Sequence, residues 1–273
     1  MLSYDFMKRA FAVGIMLAII IPMIGVIMIN RRTSMIGDAL SHTSLAGIGL
    51  GLILGQNPIL WSLVVCIIGA FAIEVIRKKF NEYGDMATAI IMSTGIGLAA
   101  IMSDFSPGGT SFESYLFGSI TTLTKTDLYM AGGVSFAVIL MSLYLYWALL
   151  YISIDPIMAR LAGIKTELIG GIFTFLTAIT VAISAKMVGA LMVTSLMVIP
   201  VATSLMIGKS YKQTYLLSII FAILSLLTGI ILSYNYGIKT GGATVVVAVL
   251  VLILVSLISF IYKKILRTKK DAK

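Results

Sequence analysis

The chain has 273 residues, of which 59% are hydrophobic and 11% are charged, and its mean hydropathy is +1.07. Because a soluble domain carries about a quarter charged residues, this composition excludes a soluble globular protein and predicts a polytopic membrane protein. The net charge of +9 does not indicate a nucleic-acid partner, since the cations lie between apolar runs, as they do in membrane-protein loops.

Apolar runs of about 20 residues, the length that crosses a bilayer as a helix, recur along the chain. They lie near 10–30, 36–55, 58–76, 87–103, 128–150, 168–186, 188–207, 213–233 and 242–262. The sixth and seventh runs follow each other so closely that eight spans with a re-entrant piece is the alternative to nine. The sequence therefore predicts an all-α bundle of eight or nine spans, forming one transmembrane domain over 1–273, with a disordered basic tail at 263–273.

Basic residues are distributed unequally between the two sides of the nine-span arrangement. Fifteen of the 20 fall on one side and five on the other. Because positively charged loops are retained in the cytoplasm, we expect a cytoplasmic C-terminus and an N-terminus on the outside.

The segment 37–55 places an acid and the only histidine of the chain inside an apolar run. Asp38 and His42 are four residues apart, which on a helix puts both side chains on one face, about 6 Å apart along the axis. Such a polar pair can be structural, can relay protons, or can form half of a metal site, since carboxylate oxygen and imidazole nitrogen suit zinc or manganese. Two ligands are too few for a closed site.

Two further features are typical of helices inside a membrane bundle. Gly47, Gly51 and Gly55 repeat at an interval of four residues and predict a smooth helix face for close packing. Pro200 lies inside the run 188–207, where it predicts a kink or a break, with nearby hydroxyl groups satisfying the backbone that proline frees.

Two connections between the spans carry structure of their own. In 154–167, Asp155 is a candidate N-cap, Pro156 takes the first helical position and Gly163 follows about two turns later. This pattern predicts a short cytoplasmic helix that docks a partner. The segment 104–127 is polar and glycine-rich, and predicts either a short partner-facing helix outside the membrane or an amphipathic loop at the interface.

Motifs for covalent chemistry are missing from the sequence, which has no GxxxxGK[ST] loop, no HExxH and no GxSxG. We therefore expect neither ATP hydrolysis by this chain nor any other enzyme activity, and transport is the favoured function. The alternative in another class is a secondary transporter or channel in which Asp38 and His42 relay protons and no ATPase takes part.

Four segments, in order along the chain, carry a resemblance to a known family. They are RRTSMIGDALSHTSLAGIGLG after the first span, YLFGSI in 104–127, DPIMARLAGI in 154–167, and VGALMVTSLMVIPVAT around Pro200. Together they resemble the membrane permease subunits of bacterial ABC importers for zinc, manganese or iron. The opening LSYDFMKRAF and the segment ATAIIMSTG are most similar to the zinc permeases of Gram-positive bacteria.

This resemblance implies a homodimeric permease of the type II importer kind in the bacterial cytoplasmic membrane. Its implied partners are a cytoplasmic ABC ATP-binding subunit and an extracellular metal-binding lipoprotein or periplasmic binding protein. Asp38 and His42 would contact the transported ion, zinc in preference to manganese or iron, with no permanently bound cofactor, and two copies of the pair would form a transient four-ligand site. The helix that couples transport to the ATPase would include Asp155, Pro156, Ala159, Arg160 and Gly163.

Overall fold

The computed structural model of the chain describes residues 4–80, 84–105, 109–119 and 123–271. Within these ranges the backbone forms twelve helices and no strand. The helices are α1 (Asp5–Asn30), α2 (Met35–Ile53), α3 (Pro58–Lys79), α4 (Gly84–Phe105), α5 (Gly109–Phe117), α6 (Lys125–Tyr144), α7 (Tyr146–Ile154), α8 (Pro156–Leu161), α9 (Thr166–Ser184), α10 (Ala190–Ile207), α11 (Tyr211–Tyr236) and α12 (Thr240–Asp271).

Nine helices in the described part of the chain are long and apolar enough to cross a membrane, namely α1 to α4, α6 and α9 to α12. The predicted all-α bundle is confirmed. Nine spans are favoured over eight because the runs 168–186 and 188–207 form two separate helices, α9 and α10, joined by a tight turn at 185–188.

The interior of the bundle is built around α1 and α2. Nearly every residue of α1 between Leu17 and Met28 is buried, and α2 is enclosed by α3, α4, α9 and α10. By contrast, α12 exposes large apolar side chains such as Leu250 and Leu254, as expected for a peripheral helix that faces lipid tails. The helix that carries Asp38 and His42 is therefore among the most enclosed in the molecule.

The three glycines predicted to form a packing face divide into two kinds, since Gly55 lies just beyond the end of α2. A Cβ on Gly47 would lie 2.6 Å from the Cα of Ser62, and one on Gly51 would lie 2.7 Å from the Cα of Pro58, so both allow backbone contact with α3. Gly55 differs from the predicted packing role, because it has φ +63° and faces open space. It provides the left-handed conformation that ends the helical segment.

Helix α10 runs through Pro200 without the break that the sequence allowed. Proline removes the N–H that would bond the carbonyl four residues earlier. Two of the nearby hydroxyls donate to other carbonyls instead: Thr203 to Ile199 at 2.8 Å and Ser204 to Val201 at 2.7 Å.

The predicted span 128–150 divides at Leu145 into α6 and α7. Neither proline nor glycine marks this position in the sequence. The ring of Tyr146, the first residue of α7, makes edge contacts with Tyr211 and Tyr215 of α11, with centroids 5.6 and 6.2 Å apart. Aromatic packing between distant segments accompanies this division, which local sequence could not reveal.

The basic segment 263–273 also differs from its prediction. Helix α12 continues as far as Asp271, so most of this segment is helical rather than disordered. Residues 272–273 lie outside the described residues. A helix already formed over an apolar span of more than 20 residues is extended at little cost, which accounts for the continuation.

Candidate functional site

The bundle has two ends, which carry different groups. One end, called the basic face below, brings together Arg31, Arg77 and Arg160 beside α8. The other end, called the opposite face, holds α5 and the turn 185–188, where the N–H of Ser119 donates to the carbonyl of Lys186 at 3.2 Å.

Asp38 and His42 lie on α2, with Asp38 in its first turn. Both side chains are half-buried in the single chain, and no hydrogen bond or ion pair joins these two described residues. Asp38 is not the N-cap of α2, since that position belongs to Ser34. The helical spacing therefore leaves the two side chains on one face as separate polar groups.

A third side chain joins this face from a neighbouring helix. The hydroxyl of Thr194 on α10 donates to the carboxylate of Asp38 at 3.4 Å and lies 3.4 Å from the hydroxyl of Ser41. Ser41 in turn donates to the carbonyl of Gly37 at 2.8 Å. The sequence predicts only that hydroxyls near Pro200 satisfy freed backbone groups, and it gives no sign of this contact, which the packing of α10 on α2 creates.

The remaining hydroxyls of α2 hold the helix in place rather than contributing to this face. Thr43 donates to the carbonyl of Ala39 at 2.7 Å, and Ser44 shares a 2.8 Å hydrogen bond with Ser62 of α3. Behind His42, Gly95 of α4 allows close contact, because a Cβ there would lie 2.9 Å from the carbonyl carbon of His42. The neighbouring helices thus fix the backbone from which His42 projects.

The single chain does not complete a metal site around this pair. Across the described residues, no group of three or more His, Cys, Asp and Glu side chains could hold a metal ion. Asp38 and His42 therefore offer one carboxylate and one imidazole, which is half of the usual four-ligand set for zinc.

Helix α8 has the capped form that the sequence predicts. The carboxylate of Asp155 accepts the N–H groups of Ile157 and Met158 at 2.9 and 3.0 Å. Gly163 follows the helix with φ +81°, and Ala159 is buried. Apolar side chains are left exposed on the other side of the helix. They are Ile157, Met158 and Leu161.

These exposed apolar side chains indicate what kind of contact α8 can make. The helix lies at the basic face, where Pro156 and Arg160 line the same cavity as Arg31. An exposed apolar surface on a short, rigidly capped helix is suited to docking in a groove of another protein.

The opposite face contains a largely buried ion pair. Lys186 donates to Asp127 at 2.6 Å, and the same carboxylate oxygen accepts the N–H and hydroxyl of Thr124 at 2.7 Å each. Burial, with a smaller contribution from Asp127, raises the pKa of Tyr115.

Helix α5 resolves the two interpretations of 104–127 in favour of a short helix. Residues 106–108 and 120–122 of this segment lie outside the described residues.

Comparison with known proteins finds consistent similarity over almost the whole chain. A family model described as the ABC 3 transport family matches residues 3–259. The "Probable metal transport system membrane protein" of Treponema pallidum is 32% identical over 93% of this chain and 96% of its own. The zinc uptake membrane protein ZnuB of Haemophilus influenzae is 30% identical (92% and 97% covered), and the manganese transport membrane protein MntC of Halalkalibacterium halodurans is 26% identical (91% and 85% covered).

Structural comparison agrees with this similarity. The chain matches a chain of PsaBC from Streptococcus pneumoniae, solved in complex with Fab, with a TM-score of 0.83 and 25% identity. The match covers 92% of this chain and 91% of the other.

Proposed function

Because the chain belongs to the ABC 3 transport family and is the permease subunit of a metal importer, we propose that the ion it carries into the cytoplasm is zinc. The observation that carries this proposal is the face of α2 on which Asp38 and His42 lie, with Thr194 donating to the acid. Imidazole nitrogen with carboxylate oxygen is a preferred ligand combination for zinc. Manganese is the second candidate, because relatives named for either metal match the chain.

Two copies of the chain complete the site in this proposal. One protomer supplies a carboxylate and an imidazole, and a two-fold axis beside α2 would bring a second pair to the same ion. Four ligands from two protomers would hold zinc while the site is closed and would separate as the protomers move apart. The ion then passes through without becoming a permanent cofactor.

A separate ATP-binding subunit drives this movement. We place its docking site on α8, the proposed coupling helix, where Asp155, Pro156 and Gly163 fix a short helix and Arg160 lies beside it. A pull on α8 would pass through α7 and α9, the helices that α8 contacts. An external binding protein would deliver the ion at the opposite face, beside α5.

Metal uptake into proteoliposomes tests the proposal directly. The permease is reconstituted with its ATP-binding subunit, and the uptake of radioactive zinc and manganese is compared for the natural chain, Asp38→Asn and His42→Gln. Each variant is expected to lower the initial rate of zinc uptake at least about tenfold, because each removes a metal ligand. Asp5→Asn, which changes an exposed carboxylate in the same way, serves as the control.

Three results would count against the proposal in different ways. Normal zinc uptake by both variants would make the polar pair structural. Faster manganese uptake in the natural chain would reassign the metal. Uptake that continues without ATP would replace the importer with a secondary transporter.

A further inference from the structure

The basic face contains a cavity that neither Asp38 nor His42 lines and that α8 helps to enclose. Its volume is about 490 Å³, and it lies between the α1–α2 connection, α3, α8 and α9. Its lining has four cationic side chains and two carboxylates. These are Arg31, Arg77, Lys78, Arg160, Glu74 and Glu167. The cavity wall therefore carries a net charge of +2 when all six groups are ionised.

The two carboxylates already have partners of their own. Glu74 lies 3.6 Å from Arg77 and accepts the hydroxyl of Thr174 at 2.7 Å on the same oxygen. Glu167 lies 3.7 Å from Lys78. Both acids are thus engaged by side chains next to the cavity.

Two arginines at the cavity remain without a carboxylate. Across the described residues, neither Arg31 nor Arg160 has a carboxylate oxygen within 4.0 Å. The guanidinium of Arg31 lies over the ring of Phe173, 5.7 Å from its centroid, and close to Gly170, where a Cβ would be only 3.2 Å from Nη2. This packing holds the guanidinium at the wall of the cavity.

The surroundings of Arg31 disfavour its charge in the absence of a counterion. Burial is the larger cause that lowers the pKa of Arg31, and the neighbouring Arg77 lowers it further, while Glu74 opposes both. An arginine stays protonated at neutral pH, so a bound anion beside Arg31 would reduce the cost of these surroundings.

The N-terminal end of α9 also reaches this wall. Thr166, Glu167 and Gly170 line the cavity, and the N-cap residue Lys165 makes no side-chain hydrogen bond to the first turn. The N–H groups at a helix N-terminus favour anions. The N-terminal end of α9 and the two arginines without carboxylates line one cavity, in which the N–H of Thr166 itself donates to the carbonyl of Ile164.

We propose that this cavity binds a phosphate group, either as free phosphate or as the headgroup of an anionic lipid. Planar guanidinium groups bind phosphate oxygens through paired hydrogen bonds, and a dianion would balance the net charge of the lining. A bound phosphate would bridge α8 to α3 and to the segment between α1 and α2. It would therefore stabilise the packing of α8 on the rest of the bundle.

Thermal unfolding of the full-length chain in phosphatidylcholine nanodiscs tests this site. Sodium phosphate is titrated against sodium chloride at constant ionic strength, and the rise in Tm gives an apparent Kd. Arg31→Gln and Arg160→Gln are each expected to weaken binding about tenfold or more, since each removes a charged hydrogen-bond donor that lacks a carboxylate partner. Arg32→Gln is the matched control, because Arg32 is the exposed neighbour of Arg31 and does not line this cavity.

Two further arms keep the result decisive. Glu74→Gln is expected to tighten phosphate binding several-fold, because it removes a competing negative charge, and this gain cannot come from misfolding. Nanodiscs that contain phosphatidylglycerol distinguish the source, since a lipid ligand raises the Tm without added phosphate. Two results together overturn the proposal. The first is an equal rise in Tm with phosphate for the natural chain, Arg31→Gln and Glu74→Gln, which would indicate only the general stabilising effect of phosphate. The second is that phosphatidylglycerol does not raise the Tm.

Discussion

At the scale of single residues, the face of α2 combines charge and helix packing in one turn of helix. Asp38 and His42 face one way, and the hydroxyl of Thr194 reaches this face from α10 at 3.4 Å. A metal ligand works best when a second group orients it. Thr194 therefore links the position of α10 to the orientation of the Asp38 carboxylate.

Removing this hydroxyl should weaken the interaction with the ion without removing a ligand. We expect Thr194→Val to raise the KM for zinc uptake about three- to tenfold, because a hydrogen bond to a charged group contributes on the order of 1 kcal/mol or more. Thr194→Ser keeps the hydroxyl and should restore uptake, and Ser195→Ala is a control on the adjacent residue. Equal KM values for the natural chain and Thr194→Val would show that the contact has no role in transport.

Glycine at position 95 should be required for the position of His42. Gly95→Ala places a Cβ 2.8 Å from the backbone nitrogen of Thr43, so we expect it to lower the free energy of unfolding by about 1–3 kcal/mol. Gly97→Ala, two residues further on the same helix, meets nothing within 4 Å and should be neutral or slightly stabilising. The Tm of each variant is measured by thermal unfolding in detergent. Equal decreases in Tm for the two variants would contradict the prediction.

At the scale of helices, apolar runs were sufficient to predict eight or nine spans, because a bilayer imposes one length and one composition on every span. The separation of α9 from α10 decides for nine. The cap of α8 was equally predictable, since Asp155 and Pro156 act through local hydrogen bonds and a fixed φ. The division between α6 and α7 at Leu145 could not be predicted, because it coincides with contacts of Tyr146 to α11, which lies about 65 residues further along the chain. Tertiary contacts of this kind leave no local pattern.

The cap of α8 should be necessary for contact with the ATP-binding subunit. A helix of six residues has little stability of its own, and Asp155→Ala removes an N-cap that contributes about 1 kcal/mol. We expect less co-purification of the ATP-binding subunit and slower ATP-driven uptake. Asp155→Asn retains an N-cap acceptor and should behave like the natural chain. If both variants lose the partner, the carboxylate itself makes the contact and the cap is not the cause.

At the scale of the whole molecule, the sequence predicted the helix class and the polar pair on one face of α2, but not the neighbouring residues that pack against this face. Asp38 and His42 were recognisable because charge is rare inside apolar runs. Thr194 and Gly95 were not, since hydroxyls and glycines are common in membrane helices and only packing gives them a partner. The unequal distribution of basic residues concerns the entire chain, and it yields the prediction of which face lies in the cytoplasm.

Cysteine labelling can test this orientation in an otherwise natural background, because Cys66 is buried and the chain has no other cysteine. Lys78 is exposed near Arg77 on the basic face, and Lys239 is exposed on the opposite face, paired with Glu113. A membrane-impermeant maleimide should label Lys239→Cys in right-side-out vesicles, whereas Lys78→Cys should react only after the membrane is opened with detergent, since positive loops are retained inside. The natural chain is the control and should remain unlabelled in both conditions. The reverse labelling pattern would place the basic face outside the cell and would separate α8 from any cytoplasmic ATPase.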